Sequence, residues 1–310
     1  MHELDRIRLA LTAAAARGER ALLVTVVEVD GSTYRGAGAR MVVRADGTTV
    51  GAVSGGCLET DVIARAPALL ASGTPERVRY DTRASDDVVL GLGMGCQGVI
   101  DLQLEPLSGE ALHAAIGRLA ALRTRDAVRV LVCGAGTDAI PVVRLASMIG
   151  WLATVVDHRP SFATPDRFPE AERIVCVNAT SDADALANAV PLDSIAAAVV
   201  MAHAATHDRA CLHALLAHDG LRYLGVLGPL RRTHELLVGA PGTTAGVIPD
   251  RVHAPVGLDL GAETPDEIAL SIVSEIAAVL AGRAPVSLRA RGGPIHADRT
   301  RTAERSGAQG

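Results

Sequence analysis

The apolar positions in the first third of the chain change their spacing several times, which favours a mixture of helices and strands. A 3–4 residue spacing predicts a helix over residues 3–17, and a β-branched run predicts a buried strand over residues 21–29. Residues 40–44 and 48–53 flank Asp46-Gly47, a turn sequence typical of a hairpin. This part of the chain therefore combines helical and extended segments.

The pattern continues with a helix over residues 57–70 and with strands near residues 77–80 and 99–104. A glycine-rich segment, residues 91–98, separates those two strands. We therefore predict a mixed α+β N-terminal domain over residues 1–107, followed by a helical linker over residues 108–127.

Beyond the linker, short apolar strands alternate regularly with amphipathic helices. Such alternation predicts a Rossmann-like, doubly wound parallel sheet, here over residues 128–283. Its last helix is predicted over residues 264–280, with Thr264 as N-cap and Pro265 in the first helical position. Residues 284–310 lack periodicity and are predicted to be a disordered tail. The fold class is therefore α/β.

Composition narrows the functional classes. The chain is 49% hydrophobic with a net charge of −5, and it contains neither a membrane-length apolar run nor a signal-peptide core. We expect a soluble, cytoplasmic protein, a homodimer by default, without a nucleic-acid partner. All 30 basic residues are Arg, which excludes a Schiff-base lysine and a P-loop lysine.

A glycine turn opens the predicted Rossmann domain. Gly134 and Gly136 follow a strand and precede a helix, and Asp157 ends the next strand, where an acidic residue can bind ribose hydroxyls. This arrangement favours a dinucleotide site of the NAD(P) kind. Asp138 conflicts with it, because a carboxylate beside a pyrophosphate is repulsive. A Rossmann-like domain with an empty crevice is the alternative.

A second motif, Ser54-Gly55-Gly56-Cys57, precedes a predicted helix. A thiol beside N–H groups at a helix start favours the thiolate, which coordinates soft metals or carries sulfur. Cys57 is thus a candidate sulfur carrier and molybdenum contact, and simple packing of a small residue is the alternative.

The remaining cysteines divide into two groups. Cys96 lies in the glycine-rich segment and is the second candidate cysteine, whereas Cys133, Cys176 and Cys211 are predicted to be core residues. Their scattered spacing matches neither a zinc site nor a disulfide framework.

Several charged residues are candidate contacts for an anionic ligand. The loop arginines can hold phosphate or a pterin edge, and the histidine ends a strand at the carboxyl edge of the predicted sheet. Solvated surface arginines are the alternative. These candidates are Arg35, Arg40, Arg159, His203 and Arg231.

With these residues in view, the chain resembles the xanthine dehydrogenase accessory family, XdhC/CoxI, from about residue 20 to residue 282. Its most specific segments are residues 51–59 and 251–269, supported by residues 156–160 and 226–232. One departure is Ala202-His203, where the family often has Thr or Ser before the histidine.

The resemblance implies an accessory protein for a molybdenum hydroxylase of the xanthine dehydrogenase or CO dehydrogenase type. Such a protein binds molybdenum cofactor (molybdopterin or its dinucleotide form), supports its sulfuration and delivers it to the apo-enzyme. The implied partners are the apo-hydroxylase and a cysteine desulfurase, and the implied role is that of a chaperone more than of a catalyst. An NAD(P)-dependent oxidoreductase is the alternative suggested by the glycine turn.

We expect residues 284–310 to be dispensable for folding, because a segment without apolar periodicity buries no core of its own. Truncation after Arg283 should leave the thermal midpoint unchanged in a scanning fluorimetry experiment. A drop of many degrees would show that the segment is docked.

Overall fold

The computed structural model describes residues 2–31, 33–81, 98–125, 127–180, 184–244 and 247–290. The chain divides into two compact units, with Glu3–Arg125 in the first and Asp126–Pro285 in the second. No helix in the described ranges has the length and apolar character that crossing a bilayer requires.

The first unit is an antiparallel sheet with helices on both faces. Its strands pair in the order β3-β2-β1-β5-β4. In chain order the elements are α1 (Glu3–Ala16), β1 (Ala21–Gly31), β2 (Arg40–Arg44), β3 (Thr49–Gly51), α2 (Glu59–Ser72), β4 (Glu76–Asp81), β5 (Gly98–Leu107) and α3 (Gly109–Arg125).

Alternation along β1 creates two cores. Leu22, Val24 and Val26 face α2, whereas Ala21 and Leu23 face α1 and α3. The helix predicted as a linker, α3, thus belongs to the first unit. Its buried face carries Leu112, Ala115 and Leu119, and the division of the chain falls after its last residue.

The second unit is a six-stranded parallel sheet in the order β11-β10-β9-β6-β7-β8. In chain order its elements are β6 (Arg129–Cys133), α4 (Ala139–Met148), β7 (Leu152–Asp157), β8 (Arg173–Cys176), α5 (Ala185–Ala189), β9 (Ala197–Val200), α6 (Ala205–Leu216), β10 (Tyr223–Val226), α7 (Leu230–Leu237), β11 (Val252–His253) and α8 (Pro265–Leu280).

Helices cover both faces of this sheet, which confirms the doubly wound prediction. Helices α5, α6 and α7 pack on one face, and α4 and α8 pack on the other. The N-terminus of α8 is a capping box, in which Thr264 and Glu267 satisfy each other's backbone N–H groups. Thr264 and Pro265 thus occupy the predicted positions.

Three local differences from the sequence prediction matter for function. Helix α2 begins at Glu59 rather than at Cys57. Cys176, predicted to be core, is exposed because it ends β8, the last strand of the sheet. Helix α5 and strand β11 were not in the predicted pattern, because both are short.

The strand order reverses beside β6, since β7 and β8 extend the sheet on one side and β9 on the other. Ligands of open parallel sheets bind at such a switch point, at the carboxyl ends of the strands. At this point Gly134 has a φ of 128°, and a Cβ there would lie 2.5 Å from the backbone N of Ala202. Only glycine fits this crossing of two backbones.

We expect Gly134→Ala to lower the apparent Tm by roughly 5–10 °C, because strain and a backbone clash together cost about 2–4 kcal/mol. Gly136→Ala is the matched control, since a Cβ there finds its nearest neighbour, His203 Cδ2, at 4.0 Å. Thermal melts of the two variants make the comparison. Equal melting temperatures would contradict the packing described at Gly134.

Candidate functional site

The Cys57 loop of the first unit, residues 52–58, is organised by one carboxylate. Glu59 Oε1 accepts hydrogen bonds from the backbone N–H groups of Val53 (3.0 Å) and Ser54 (2.8 Å). The Ser54 hydroxyl donates to Glu59 Oε2. Burial raises the pKa of the Glu59 carboxyl, but the hydrogen bonds from Ser54 and Val53 outweigh burial and leave the pKa lowered.

Ser54 links Glu59 to Cys57 through its hydroxyl oxygen. Ser54 Oγ accepts from the backbone N–H groups of Gly56 and Leu58, both at 3.1 Å, and lies 3.5 Å from Cys57 Sγ. Because the hydroxyl proton of Ser54 is already donated to Glu59, the Cys57 thiol is the donor in the sulfur contact. The loop therefore holds a partly exposed thiol in a fixed position.

The prediction that Cys57 stands at a helix start is wrong in detail. Leu58 is the N-cap residue of α2, so Cys57 precedes the helix, and its side chain also packs against the core beneath α2. Gly56 has a φ of 114°, and Gly55 lies under the ring of Tyr34, which is 68% exposed. Cys96 lies outside the described residues.

The two candidate arginines of the first unit have different surroundings. Arg35 Nη2 forms an ion pair with Glu3 Oε2 at 2.5 Å, so its charge is compensated within the unit. Arg40 Nη1 donates to the carbonyl oxygen of Gly38 at 2.8 Å. The two arginines thus have different roles: Arg35 bonds a residue of α1, and Arg40 is the first residue of β2.

The crevice of the second unit lies where β6 and β9 end. Gly134 and Gly136 follow β6, and His203 follows β9 with a φ of 59°, a left-handed conformation that costs a non-glycine residue about 1–2 kcal/mol. His203 is exposed, and its Nε2 lies 3.1 Å from Asp138 Oδ2. Asp138, whose carboxylate conflicts with a phosphate in the sequence pattern, is therefore directed towards an imidazole.

Asp157 holds the glycine turn in place. Its Oδ2 accepts from the backbone N–H of Ala135 (2.6 Å) and from Arg159 Nη2 (2.8 Å). Its Oδ1 accepts from the backbone N–H and from Nε of Arg159, at 2.8 and 2.9 Å. Burial raises the pKa of Asp157, but the bonds from Arg159 and Ala135 outweigh it and lower the pKa to about 2.

These four bonds use the four lone-pair directions of a carboxylate. Asp157 in this arrangement has no acceptor capacity left for ribose hydroxyls, the role suggested by its sequence position. The carboxylate instead joins the end of β7 to the glycine turn.

Two arginines extend this network around an aromatic ring. The guanidinium carbon of Arg159 lies 3.9 Å from the ring centroid of Phe162, and that of Arg167 lies 4.9 Å from it. Arg167 Nη2 also donates to the carbonyl oxygen of Ala135 at 3.1 Å. The backbone N–H and the carbonyl oxygen of Ala135 are therefore both bonded to side chains, those of Asp157 and Arg167.

A second buried carboxylate, Asp208, lies in the first turn of α6 and was not among the candidate site residues. Asp208 Oδ1 accepts from the backbone N–H of Ala202 at 3.0 Å, and Oδ2 pairs with Arg232. Arg231, the predicted candidate, is 90% exposed and lies near Glu235 instead. Helical spacing distinguishes the two arginines, since Arg232 shares the buried face of Leu236, four residues later.

Two of the other three described cysteines are buried. Cys133 and Cys211 are fully buried, as predicted, and His207 Nε2 lies 3.7 Å from Cys211 Sγ. The contacts with Cys133 and His207 lower the pKa of the Cys211 thiol, against the effect of burial, which raises it. Cys176 is the exception, exposed at the sheet edge.

Comparison with known proteins agrees with this architecture. Residues 14–81 match the model of the XdhC and CoxI family, and residues 130–276 match the XdhC Rossmann domain. A two-domain protein with an antiparallel first unit and a Rossmann-like second unit is thus the class that the fold defines. The chain belongs to the XdhC/CoxI family.

Individual relatives extend over most of the chain. A probable xanthine dehydrogenase component of Bacillus subtilis strain 168 is 30% identical, over 83% of this chain and 92% of the relative. The molybdenum cofactor insertion chaperone PaoD of Escherichia coli strain K12 is also 30% identical, over 86% and 85%. A crystal structure described as a xanthine dehydrogenase from Bacillus halodurans superposes with a TM-score of 0.75 at 28% identity, covering 93% of this chain and 98% of that one.

The bonds to Asp157 predict a specific loss of stability in acid. Since the pKa is about 2 in the folded protein and ~3.9 in an unfolded chain, the carboxylate stabilises the fold fully above about pH 5. As pH falls towards 2, roughly 2 kcal/mol should disappear. Asp157→Asn should be destabilised at pH 7 and should lack this part of the pH dependence.

Thermal unfolding between pH 7 and pH 3 measures the effect. The exposed Asp219→Asn variant is the control and should follow the wild-type curve. A parallel pH dependence of Asp157→Asn and wild type would argue against the proposed role of the carboxylate.

Proposed function

We propose that this protein is an accessory chaperone of a molybdenum hydroxylase of the xanthine dehydrogenase or CO dehydrogenase type. It binds molybdenum cofactor, supports its sulfuration and delivers it to the apo-enzyme. The observation that carries the proposal is the relative named as a molybdenum cofactor insertion chaperone, which aligns over 86% of this chain and 85% of its own.

The Cys57 loop is suited to bind the molybdenum atom or the transferred sulfur of such a ligand. A partly exposed thiol is held by Ser54 at 3.5 Å, while Gly55 and Gly56 present backbone without side chains beside it. A thiol, once deprotonated, is a ligand or acceptor suited to sulfur and to soft metals. We assign Cys57 the contact with the molybdenum end or with transferred sulfur, and Cys96 remains a candidate second thiol.

The crevice of the second unit fits the phosphate end. A Cβ at Gly136 would meet only His203 Cδ2, at 4.0 Å, and the turn containing Gly136 is fixed through Ala135. Backbone N–H groups at the start of α4 are suitable donors for a phosphate. Gly134, His203 and the guanidinium edge of Arg159 complete the proposed contacts, and a dinucleotide form of the cofactor would use this crevice most fully.

When bound, the cofactor would supply the metal centre that the client enzyme uses, and this chain's residues would hold and orient it. An NAD(P)-dependent oxidoreductase is disfavoured, because the carboxylate expected to bind ribose is saturated by Arg159 and Ala135. The proposed partners are the apo-hydroxylase and a cysteine desulfurase that supplies the sulfur. A homodimer and a cytoplasmic location complete the proposal.

Replacement of Cys57 by Ser should abolish transfer of sulfurated cofactor, because serine keeps the size but loses the soft ligand. Purified protein is incubated with cofactor and then with an apo-hydroxylase, and molybdenum retained by the chaperone, molybdenum gained by the client, and cyanide-labile sulfur are measured. Cys176→Ser, at an exposed position of the second unit, is the matched control and should transfer normally. If Cys57→Ser and Cys96→Ser both transfer sulfurated cofactor at the wild-type rate, the cysteine-centred mechanism fails.

Gly136→Leu tests the crevice separately. A Cβ at this position meets no atom closer than His203 Cδ2 at 4.0 Å, so we expect the protein to remain folded while the leucine blocks the approach of a phosphate. We expect the retained molybdenum to fall about tenfold, with a melting temperature near that of wild type. Unchanged retention by the folded variant would remove the crevice from the binding site.

A further inference from the structure

Two free thiols lie side by side inside the second unit. Cys133 is the last residue of β6, and Cys211 lies in α6. Alternation along β6 turns Leu131 and Cys133 towards the core that α6 covers. Both thiols are completely buried, and they are in hydrogen-bond contact with each other. This thiol pair has no part in the contacts proposed above.

A histidine adjoins Cys211. His207 Nε2 lies 3.7 Å from Cys211 Sγ, about one helical turn away in α6. His207 is 2% exposed, and its Nδ1 has no hydrogen-bond partner among the described residues. Burying an imidazole with one ring nitrogen unpaired costs folding free energy. Packing of the core therefore does not account for His207 at this position.

These contacts make the two thiols unequal. The hydrogen bond from Cys133 and the contact with His207 lower the pKa of the Cys211 thiol, although burial raises it. The hydrogen bond with Cys211, together with burial, raises the pKa of the Cys133 thiol. The contact with Cys211 also raises the pKa of His207. Cys211 is thus the member of the pair that favours the thiolate, beside an imidazolium and the S–H group of Cys133.

A second histidine connects this cluster with the surface. The ring centroids of His158 and His207 lie 4.6 Å apart, and the His158 side chain is 31% exposed. His158, His207, Cys211 and Cys133 therefore form a continuous row from the surface into the core. Such a row suits the approach of a small, neutral reagent, whereas a bulky or charged reagent stays outside.

We propose that Cys133 and Cys211 form a redox site that hydrogen peroxide, or another small peroxide, converts into a disulfide. The Cys211 thiolate attacks one peroxide oxygen, the O–O bond breaks, and the leaving hydroxide takes a proton from the His207 imidazolium. Cys211 is then a sulfenic acid. The Cys133 sulfur attacks the Cys211 sulfur, and the sulfenic hydroxide leaves as water with the S–H proton of Cys133. Two thiols have lost two electrons, and the peroxide has become two molecules of water.

The disulfide cross-links two segments that border the crevice of the second unit. Cys133 directly precedes Gly134 in the glycine turn, and α6 begins two residues after His203. A disulfide brings its two sulfurs to about 2 Å, so oxidation draws β6 and α6 together at this edge of the sheet. The site is therefore placed to make the crevice respond to oxidation. This inference is independent of the proposed function, since it involves neither Cys57 nor a cofactor.

Peptide mapping of the oxidised full chain tests the proposal. The triple variant Cys57→Ser/Cys96→Ser/Cys176→Ser keeps Cys133 and Cys211 as its only cysteines. We expect a small excess of hydrogen peroxide to lower its mass by two hydrogens, and trypsin to release a peptide pair joined through Cys133 and Cys211. Dithiothreitol should separate that pair. If N-ethylmaleimide still alkylates both cysteines once the peroxide-treated chain is unfolded, the inference is overturned.

Single replacements in the same background separate the roles. In Cys133→Ser, Cys211 should remain a sulfenic acid that dimedone labels, whereas Cys211→Ser should give no label on Cys133. His207→Gln keeps an amide beside the sulfur but loses the charge, so disulfide formation should slow about tenfold. His234→Gln, at an exposed position of α7, is the matched control and should react at the parent rate. Dimedone labelling of Cys133, or an unchanged rate in folded His207→Gln, would overturn the proposed mechanism.

Discussion

A buried or half-buried carboxylate must be supplied with hydrogen-bond donors, and this requirement organises both units of the protein. Glu59 collects the backbone N–H groups and the hydroxyl that shape the Cys57 loop. Asp157 collects the N–H of Ala135 and three donors from Arg159. Burying such a carboxylate without hydrogen-bond donors would cost several kcal/mol of folding free energy. Each loop is therefore held in the one conformation that supplies these donors.

This constraint explains why many of the groups proposed to face the ligand are small or neutral. Gly56 and Gly134 adopt left-handed conformations that the surrounding bonds enforce, and neither position tolerates a side chain without strain. The chain contains no lysine, and Arg159 bonds Asp157 through its Nε and Nη2 atoms. The groups proposed for a ligand in the second unit are therefore backbone N–H groups, the side of Gly136 that faces His203, the other edge of the Arg159 guanidinium and the exposed ring of His203.

The hydrophobic periodicity of the sequence was sufficient to predict the fold. It was not sufficient to predict which side chains bond to one another within the candidate site. The β-branched runs of β1, β6 and β7 and the capped helix α8 are visible in the sequence, because local propensity and burial agree there. Asp157 was also identified, yet its role differed, since a sequence does not show which donors fill the lone pairs of a carboxylate. Helix α2 begins two residues later than predicted because Leu58, not Cys57, precedes its first turn. Arg231 was the candidate, but it is Arg232 that pairs with the buried Asp208, because Arg232 lies on the buried face of α7 and Arg231 does not.

The pairing of charged groups also distinguishes the two units in the groups that each offers to a ligand. In the second unit the cations nearest the crevice are paired with Asp157 and Asp208. Under the proposed function, recognition there therefore depends on close backbone contact, which favours a phosphate bound by N–H groups. In the first unit, Ser54 and Glu59 hold a partly exposed thiol at Cys57, which suits a soft atom. Under the proposed function, the soft end of the ligand is therefore held by the first unit, and a nucleotide extension of the ligand is held by the second.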